Sequence, residues 1–453
     1  MLRWAILVAT AAAALWALAR LWRVAAIGAA YRSKVLCSIV FGTGRTIDPQ
    51  HVEDVSVDSY WPLRIFRSRV DPVARTVTSS LFGLRSRTAT YRPGLGATLF
   101  LPTGNSGGFG EARHRAPGEG PPRIGPSMAS LNARTTSSVQ RVIDRAFTEP
   151  NPKRLRRTRA IVVVHDGDMV AEQYAPDFDA TTRLPGWSMA KSVLNALVGI
   201  LVGEKRLSLR DTALMPEWQP PDPRSAITLE DLLRMRSGLK FSELYSDFSS
   251  DVIEMLFNQP DTAAYAARQP LSFAPGNTWS YASGTSNIVS AIVRRTVGDR
   301  AYFDWPRAAL FDPIGMTSAT LEPDAAGTFV CSSFMLATAR DWARFGQLFL
   351  QDGVWEGRRI LPVDWVKFST TPTTPSLLGN FGAHWWLKLG PEIGGGTDAA
   401  ARIPRDAFFA IGHEAQTLTV IPSQRLVAVR LGLSVYIDAW NQAEFIAELL
   451  DAL

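Results

Sequence analysis

The chain begins with an apolar run, Trp4–Ala19, and a second apolar patch, Val24–Ala30, follows after a short basic interruption. Sixteen residues are slightly short for a helix across the hydrocarbon core, which takes about 20, but Leu21, Trp22 and snorkelling arginines extend the run. The arginine directly after Ala17–Ala19 disfavours signal-peptide cleavage. We therefore predict a signal anchor or transmembrane helix over residues 1–34, and basic residues at both ends leave its orientation open.

Short strand-like segments separated by turn residues come next, and Arg75–Phe82 is the clearest of them. They predict a small β-rich region over residues 35–102. Glycine and proline then dominate the sequence, a composition typical of a flexible connection. We assign this linker to residues 103–127 and the main domain to residues 128–453.

Within the main domain, strand patterns occur near both ends and helical patterns lie between them. Ala160–His165 and Met169–Tyr174 flank Asp166-Gly167, which predicts a β-hairpin. Further strands are expected at Ala407–Ile411, Thr417–Ile421 and Leu426–Leu433, and helices at Leu131–Thr148 and from Asn441 onward. This order predicts an α/β protein of the α+β kind, with one antiparallel sheet built from both ends of the domain, flanking helices and an inserted helical subdomain.

Ser188 and Lys191 lie at the polar start of an apolar, helix-like run that extends to Val202. Residues three apart share a helix face, so the lysine amine can take the proton of the serine hydroxyl. A lysine desolvated beside an apolar pocket has a lowered pKa, and the first helical turn offers unpaired N–H groups to an oxyanion. Such a pair also occurs by chance as an N-cap and a solvated lysine, so the rest of the chain must decide between the two interpretations.

A second polar segment presents Tyr281 and Ser283 on a loop that follows Pro275-Gly276 and precedes another apolar helix. A phenol beside a lysine ammonium is expected to have a lowered pKa, so Tyr281 could share the base role and later protonate a leaving group. The alternative is an ordinary half-buried tyrosine.

A third segment, Gly412–Gln416, interrupts two strands with small and polar residues. A strand edge of this kind can lie along a substrate, and a backbone N–H near Gln416 could join that of Ser188 as an oxyanion donor. His413 belongs to the same segment and could equally be a half-exposed strand residue.

Taken in this order, Ser188-Met189-Ala190-Lys191, Tyr281-Ala282-Ser283 and His413-Glu414-Ala415 resemble the three motifs of the class C β-lactamase-like serine hydrolases. The sequence resembles in particular 6-aminohexanoate-dimer hydrolase and the family VIII esterases, over about residues 130–453. The resemblance implies the fold of β-lactamases and penicillin-binding proteins and a catalytic set of Ser188, Lys191 and Tyr281. It also implies an oxyanion hole or substrate-binding site that includes Ser188, Ser283, Gly412, His413 and Gln416.

Two residues depart from the pattern of true β-lactamases, because Ser283 stands in the place of an asparagine and His413 in the place of a lysine. Both changes argue against efficient penicillin hydrolysis, so a small carboxylic ester or linear amide is the expected substrate. The alternatives are a D-alanyl-peptide or β-lactam hydrolase, and a non-catalytic module that binds peptidoglycan or a protein partner. An α/β-hydrolase is disfavoured because no hydrophobic strand precedes Gly186–Ala190.

Composition and charge limit the partners and cofactors that are expected. The 453 residues carry a net charge of +6, but the basic residues are scattered and no nucleic-acid motif occurs, so no nucleic-acid partner is expected. The one dense basic cluster, Lys153–Arg159, is interpreted as a solvated loop. Cys37 and Cys331 lack metal-ligand neighbours, and neither a metal nor a cofactor is expected. A membrane anchor would place the catalytic domain on the periplasmic or extracytoplasmic side.

Overall fold

The structure is a computed structural model that describes residues 2–45, 47–49, 52–101, 136–376 and 378–453. The predicted linker, residues 103–127, lies outside the described residues. The first part of the helix expected at Leu131–Thr148 lies outside them as well.

The N-terminal apolar sequence forms one continuous helix, α1 (Leu2–Gly42). Within the described part of the chain it is the one helix long and apolar enough to cross a membrane. Its first half is exposed, with Trp16 and Trp22 open to the surroundings, whereas its second half is buried, as Ile27 and Leu36 show. The helix therefore continues past residue 34, the expected end of the anchor, and its second half belongs to the folded body.

Residues 66–100 form an antiparallel sheet of four strands in sequential order, β1 (Phe66–Asp71), β2 (Thr76–Leu81), β3 (Leu84–Arg92) and β4 (Gly96–Phe100). Two short 3-10 helices, Glu53–Val55 and Asp58–Ile65, precede this sheet. One face of the sheet packs on the buried half of α1, where the ring of Phe66 lies against Gly28 and leaves no room for a side chain there.

The main domain contains ten strands and eleven α-helices within the described residues. The strands are β5 (Thr158–His165), β6 (Asp168–Tyr174), β7 (Leu184–Pro185), β8 (Thr320–Leu321), β9 (Met335–Ala337), β10 (Val354–Trp355), β11 (Arg358–Arg359), β12 (Phe408–Gly412), β13 (Gln416–Ile421) and β14 (Leu426–Gly432). The helices are α2 (Ser137–Ala146), α3 (Ala190–Gly203), α4 (Leu229–Leu233), α5 (Asp251–Asn258), α6 (Thr262–Ala267), α7 (Ser283–Val297), α8 (Asp299–Tyr302), α9 (Ala339–Leu350), α10 (Trp365–Thr370), α11 (Asp398–Ala401) and α12 (Gln442–Ala452).

Both ends of the main domain contribute to one five-stranded antiparallel sheet with the order β12-β13-β14-β5-β6. Side chains alternate between its two faces along β5: Ile161 and Val163 face α2 and α12, whereas Val162 and Val164 face the larger core that contains α9. The helical residues between β6 and β12 complete that larger core. The expected antiparallel sheet with an inserted helical part is thus confirmed.

Two buried ion pairs join the N-terminal third to the main domain. Arg159 donates two hydrogen bonds of 2.8 Å to the carboxylate of Asp54, and Lys34 Nζ lies 2.6 Å from Glu322 Oε2. Removing one member of such a pair leaves a buried unpaired charge, which costs about 3–5 kcal/mol. The interpretation of Lys153–Arg159 as a solvated loop is confirmed for exposed Lys153 and Arg154 but is wrong for Arg159, which is buried against the N-terminal region.

Candidate active site

Ser188 lies on a short 3-10 turn, Trp187–Met189, that leads directly into α3. Trp187 precedes it with a φ of 48°, a left-handed conformation that non-glycine residues rarely adopt and that often marks functional sites. Helix α3 is buried along nearly its whole length, which fixes the turn, while Ser188 itself stays partly exposed. The serine is thus presented on a rigid, partly open support.

Lys191 is 2 % exposed and its Nζ lies 3.0 Å from Ser188 Oγ. The same nitrogen donates to the carbonyl oxygen of Ser332 at 2.7 Å and contacts Ser283 Oγ at 3.1 Å. Burial lowers the pKa of Lys191 to about 8, although the negative charge of Glu243 acts in the opposite direction. A substantial fraction of the amine is therefore neutral near pH 8 and able to accept the proton of Ser188.

Tyr281 lies directly before α7, with its ring 4.9 Å from Lys191 Nζ and its hydroxyl within hydrogen-bonding reach of Ser188. The ring stacks on Trp386 at 5.4 Å and meets the edge of Phe381 at 5.9 Å. Burial, and then the charge of Glu243, raise the pKa of Tyr281 well above its ordinary value. The expected lowering by the lysine is wrong, so Tyr281 is a protonated donor across the ordinary pH range.

Ser283, the first residue of α7, connects Lys191 to a carboxylate that the sequence did not reveal. Glu243 accepts hydrogen bonds from the backbone N–H of Ser283 at 2.8 Å and from its hydroxyl at 2.5 Å. Tyr245 donates to the same carboxylate at 3.1 Å. Glu243 and Tyr245 lie on an irregular loop with no motif, so no local sequence signal could have identified them.

The Gly412–Gln416 segment packs against the nucleophile turn. A side-chain carbon at Gly412 would lie 2.2 Å from the carbonyl oxygen of Gly186, so only glycine permits this approach. The residues between β12 and β13 form a tight turn in which Glu414 and Ala415 both have a φ of 61°. Gln416 starts β13, and its side chain is bonded to both backbone groups of Gly432. The oxyanion role of its N–H stays a prediction.

His413, in the turn between β12 and β13, contacts residues from three separate parts of the chain. Its ring lies edge-on to Trp187 and stacks on Tyr245, with centroids 5.5 Å and 5.2 Å away, and its Nε2 is 2.8 Å from Tyr60 Oη. Burial lowers the pKa of His413 to about 4, so the imidazole is neutral at physiological pH. Tyr60 belongs to the N-terminal region, outside the stretch that resembles the hydrolase family, and sequence reasoning missed it.

Glu414 is the second titratable group of this corner. The indole N–H of Trp187 donates to Glu414 Oε2 at 3.1 Å. Burial, and then the charge of Asp54, raise the pKa of Glu414 to about 8. With Glu414 mostly protonated at pH 7 and His413 neutral, this corner of the cleft carries little charge.

Sequence similarity identifies the family to which the chain belongs. The family model described as Beta-lactamase matches residues 143–438, which span most of the main domain. The chain belongs to the β-lactamase family. Its membership places it among the serine hydrolases, confirms the resemblance seen in the three motifs, and excludes the α/β-hydrolase alternative.

The curated relatives of this β-lactamase-family protein match only part of its length. It is 25 % identical over 228 residues to a 6-aminohexanoate-dimer hydrolase from Paenarthrobacter ureafaciens. The aligned region covers 46 % of this chain and 56 % of the relative. It is 28 % identical over 192 residues to a D-aminopeptidase from Brucella canis. The aligned region covers 40 % of this chain and 36 % of the relative. The chain thus spans about half or less of these two relatives.

A solved structure supports the fold across the same region. The crystal structure of a family VIII carboxylesterase superposes with a TM-score of 0.53 and 14 % identity, over 70 % of this chain and 96 % of the esterase. At this identity the likeness shows the fold alone.

Proposed function

We propose that this β-lactamase-family protein hydrolyses small carboxylic esters or linear amides through an acyl-enzyme on Ser188. The observation that carries the proposal is the 3.0 Å contact between Ser188 Oγ and a buried Lys191 whose pKa is lowered to about 8. A serine hydroxyl becomes a competent nucleophile when a base of matched pKa is within hydrogen-bonding distance.

In this mechanism Ser188 Oγ attacks the substrate carbonyl carbon while its proton passes to neutral Lys191. The carbonyl oxygen becomes an oxyanion that the N–H groups of Ser188 and Gln416 stabilise. The bond to the leaving group then breaks, and Tyr281 protonates the departing alkoxide or amine while Lys191 returns a proton to Tyr281. A water molecule then takes the place of the leaving group and attacks the acyl-enzyme while Tyr281 accepts its proton and passes a proton to Lys191. The bond to Ser188 Oγ breaks, Lys191 returns the proton to Ser188, and the acid is released.

The charge distribution of the cleft supports esters and linear amides over β-lactams. Glu243 places a carboxylate behind Ser283, and His413 provides a neutral ring where a cation would meet the carboxylate of a penicillin. A charge-assisted hydrogen bond is worth about 1.5–3 kcal/mol, so the lack of a cation at this position lowers the rate on a carboxylate-bearing β-lactam roughly ten- to a hundredfold.

Glu243 also favours a second candidate function, hydrolysis of D-amino-acid peptides or amides that carry a free amine. A carboxylate beside the nucleophile attracts a substrate ammonium. The partial likeness to a D-aminopeptidase from Brucella canis agrees with this candidate.

We further propose that the exposed half of α1 crosses a membrane and keeps the catalytic domain outside the cytoplasm. The length and apolar composition of the helix support the crossing. Protease accessibility of the catalytic domain in intact and permeabilised cells tests the orientation: digestion only after permeabilisation of the inner membrane would contradict it.

Labelling with a fluorophosphonate, followed by peptide mass spectrometry, tests the mechanism. The modification is expected on Ser188 and is lost in Ser188→Ala but kept in Ser423→Ala, a matched change of a serine on the β13–β14 connection. Steady-state kinetics on one preparation then compare a p-nitrophenyl ester, a 6-aminohexanoate dimer, a D-alanine p-nitroanilide and a chromogenic cephalosporin. No modification of Ser188 would overturn the mechanism, and a cephalosporin rate above all others would overturn the substrate class.

A further inference from the structure

Two segments bring exposed apolar side chains to the place where α1 enters the folded body. The tip of the β2–β3 hairpin exposes Phe82 and Leu84, which are 77 % and 55 % accessible. The loop before α5, residues 244–249, exposes Leu244 and Phe248, which are 61 % and 52 % accessible. Single exposed apolar residues are common, but here two clusters occur in segments that lie near the same stretch of one apolar helix.

Direct contacts place both clusters beside the same part of α1. Arg85, next to the hairpin tip, donates to the backbone oxygen of Trp22 at 3.2 Å, and its guanidinium lies 5.0 Å from the centre of the Trp22 ring. On the loop side, Asp247 and Phe248 line an open groove of about 460 Å³ together with Trp16, Ala19, Arg20, Arg23 and Val24. We call Phe82, Leu84, Leu244 and Phe248 the apolar collar of α1.

The length of α1 places the collar at a membrane surface. The 19 residues from Trp4 to Trp22 span about 28 Å at 1.5 Å per residue, which matches the roughly 30 Å of a bilayer's hydrocarbon core. Arg23 and Arg85 then lie at the level of the lipid phosphates, which Arg20, near the end of the span, reaches with its extended side chain, and the collar lies at the boundary with the acyl chains. Because α1 continues unbroken into the folded body, the domain is held against the membrane rather than tethered at a distance.

The loop that contributes half of the collar, together with the preceding Glu243, also lines the catalytic cleft. Glu243 binds Ser283 and Tyr245 stacks on His413, whereas Phe248 lies in the groove beside α1. Tyr245 and Phe248 are three positions apart, and a chain of that length spans at most about 11 Å. On the other side of the cleft, Tyr31 of α1 stacks on Tyr60, which contacts His413. Residues that line the cleft therefore belong to the same two segments, α1 and the loop before α5, that carry or adjoin the collar.

We propose that the cleft opens toward the bilayer crossed by α1, and that its substrates are amphiphilic esters or amides held in that bilayer. This inference rests on the proposed function of Ser188 and on the proposed crossing by α1. The collar residues insert at the headgroup boundary, and the acyl portion of the substrate reaches Ser188 past loop 244–249 without leaving the membrane for bulk water.

Kinetics of the full chain in phosphatidylcholine vesicles test the substrate class. The variant Phe248→Ser is expected to lower turnover of vesicle-bound p-nitrophenyl palmitate at least about fivefold, because the loop loses its apolar contact with the bilayer. Turnover of water-soluble p-nitrophenyl acetate should change less than about twofold, since Phe248 lines the groove beside α1. The matched variant Val363→Ser, a change at an exposed apolar residue on a different segment, should leave both rates unaltered. Equal effects of Phe248→Ser on the two substrates, or none, would overturn the inference.

A fluorescent label tests the membrane contact independently of activity. Cys37 and Cys331 are buried free thiols, so Phe248→Cys and Val363→Cys each introduce a single accessible thiol for an environment-sensitive dye. In vesicles that contain brominated lipid, the dye at residue 248 should be blue-shifted and quenched, and the dye at residue 363 should be neither. A dye at 248 that stays in water refutes the interface even if Ser188 proves catalytic. A quenched dye together with an inert Ser188 refutes the proposed function instead.

Discussion

Glu243→Gln should shift the pH dependence of catalysis to lower pH. The hydroxyl of Ser283 is 3.1 Å from Lys191 Nζ and 2.5 Å from Glu243 Oε1, so this carboxylate oxygen lies no more than about 5.6 Å from the amine. At an effective dielectric constant of about 20, two unit charges at this distance attract each other by roughly 3 kcal/mol, equivalent to about two pKa units. The glutamine keeps an acceptor for Ser283 but removes that attraction.

The sign of the shift follows from the role of Lys191 as a base. In the wild-type protein, burial holds the pKa of Lys191 at about 8 against the attraction of Glu243, so kcat/KM should rise with pH and level off above pH 8. Without the carboxylate the pKa falls further, and the midpoint should move down by about one to two units. The shift is measured as the pH profile of kcat/KM for a neutral ester, with Asp247→Asn as a control that removes a charge from the same loop outside reach of Ser283. An unchanged or higher midpoint in Glu243→Gln would refute the assignment of Lys191 as the base.

Three further changes test other parts of the site. Tyr281→Phe should lower the pre-steady-state acylation rate with an alkyl amide at least about tenfold while hardly affecting acylation by a p-nitrophenyl ester, whose leaving group needs no proton; equal losses in the two acylation rates would contradict proton donation. Tyr60→Phe removes the hydroxyl at His413 Nε2 and should raise KM about three- to tenfold with little change in kcat, whereas a loss confined to kcat would contradict substrate positioning. Asp54→Asn leaves Arg159 buried without its anion and should lower the free energy of unfolding in urea by about 3–5 kcal/mol, compared with almost no effect for the exposed Asp144→Asn.

Local patterns predicted the elements that depend on local physics. Ser188 and Lys191 meet because residues three apart share a helix face, and the hairpin of the five-stranded sheet follows from two strand-like runs around the Asp166-Gly167 turn. The raised pKa of Tyr281 could not be predicted, because it depends on burial by aromatic residues that are about 100 positions away in the sequence.

Long-range contacts also explain why the N-terminal third was predicted as a separate region. Tyr60 and His413 are 353 positions apart, and Asp54 and Arg159 are 105 apart, so no periodic pattern links them. A dense run of basic residues is usually solvated, and only the acidic partners from the N-terminal region make Arg159 an interior residue. The sequence predicted a small β-rich region separated from the main domain by a linker, whereas in the folded chain Tyr60 of that region contacts His413 at the cleft.

The position of α1 gives one structural account of both the anchor and the cleft. A catalytic domain on a flexible tether samples all orientations, so its active site gains no preferred access to the membrane. Here the helix that is long enough to cross a bilayer is also packed into the protein: Lys34 is paired with buried Glu322, and Arg23 binds Glu254 on α5 at 2.7 Å. Its orientation is therefore fixed by the same contacts that hold the main domain together. Since residues 243–249 lie shortly before α5, the segment that carries Glu243 and Tyr245 is fixed relative to α1 as well.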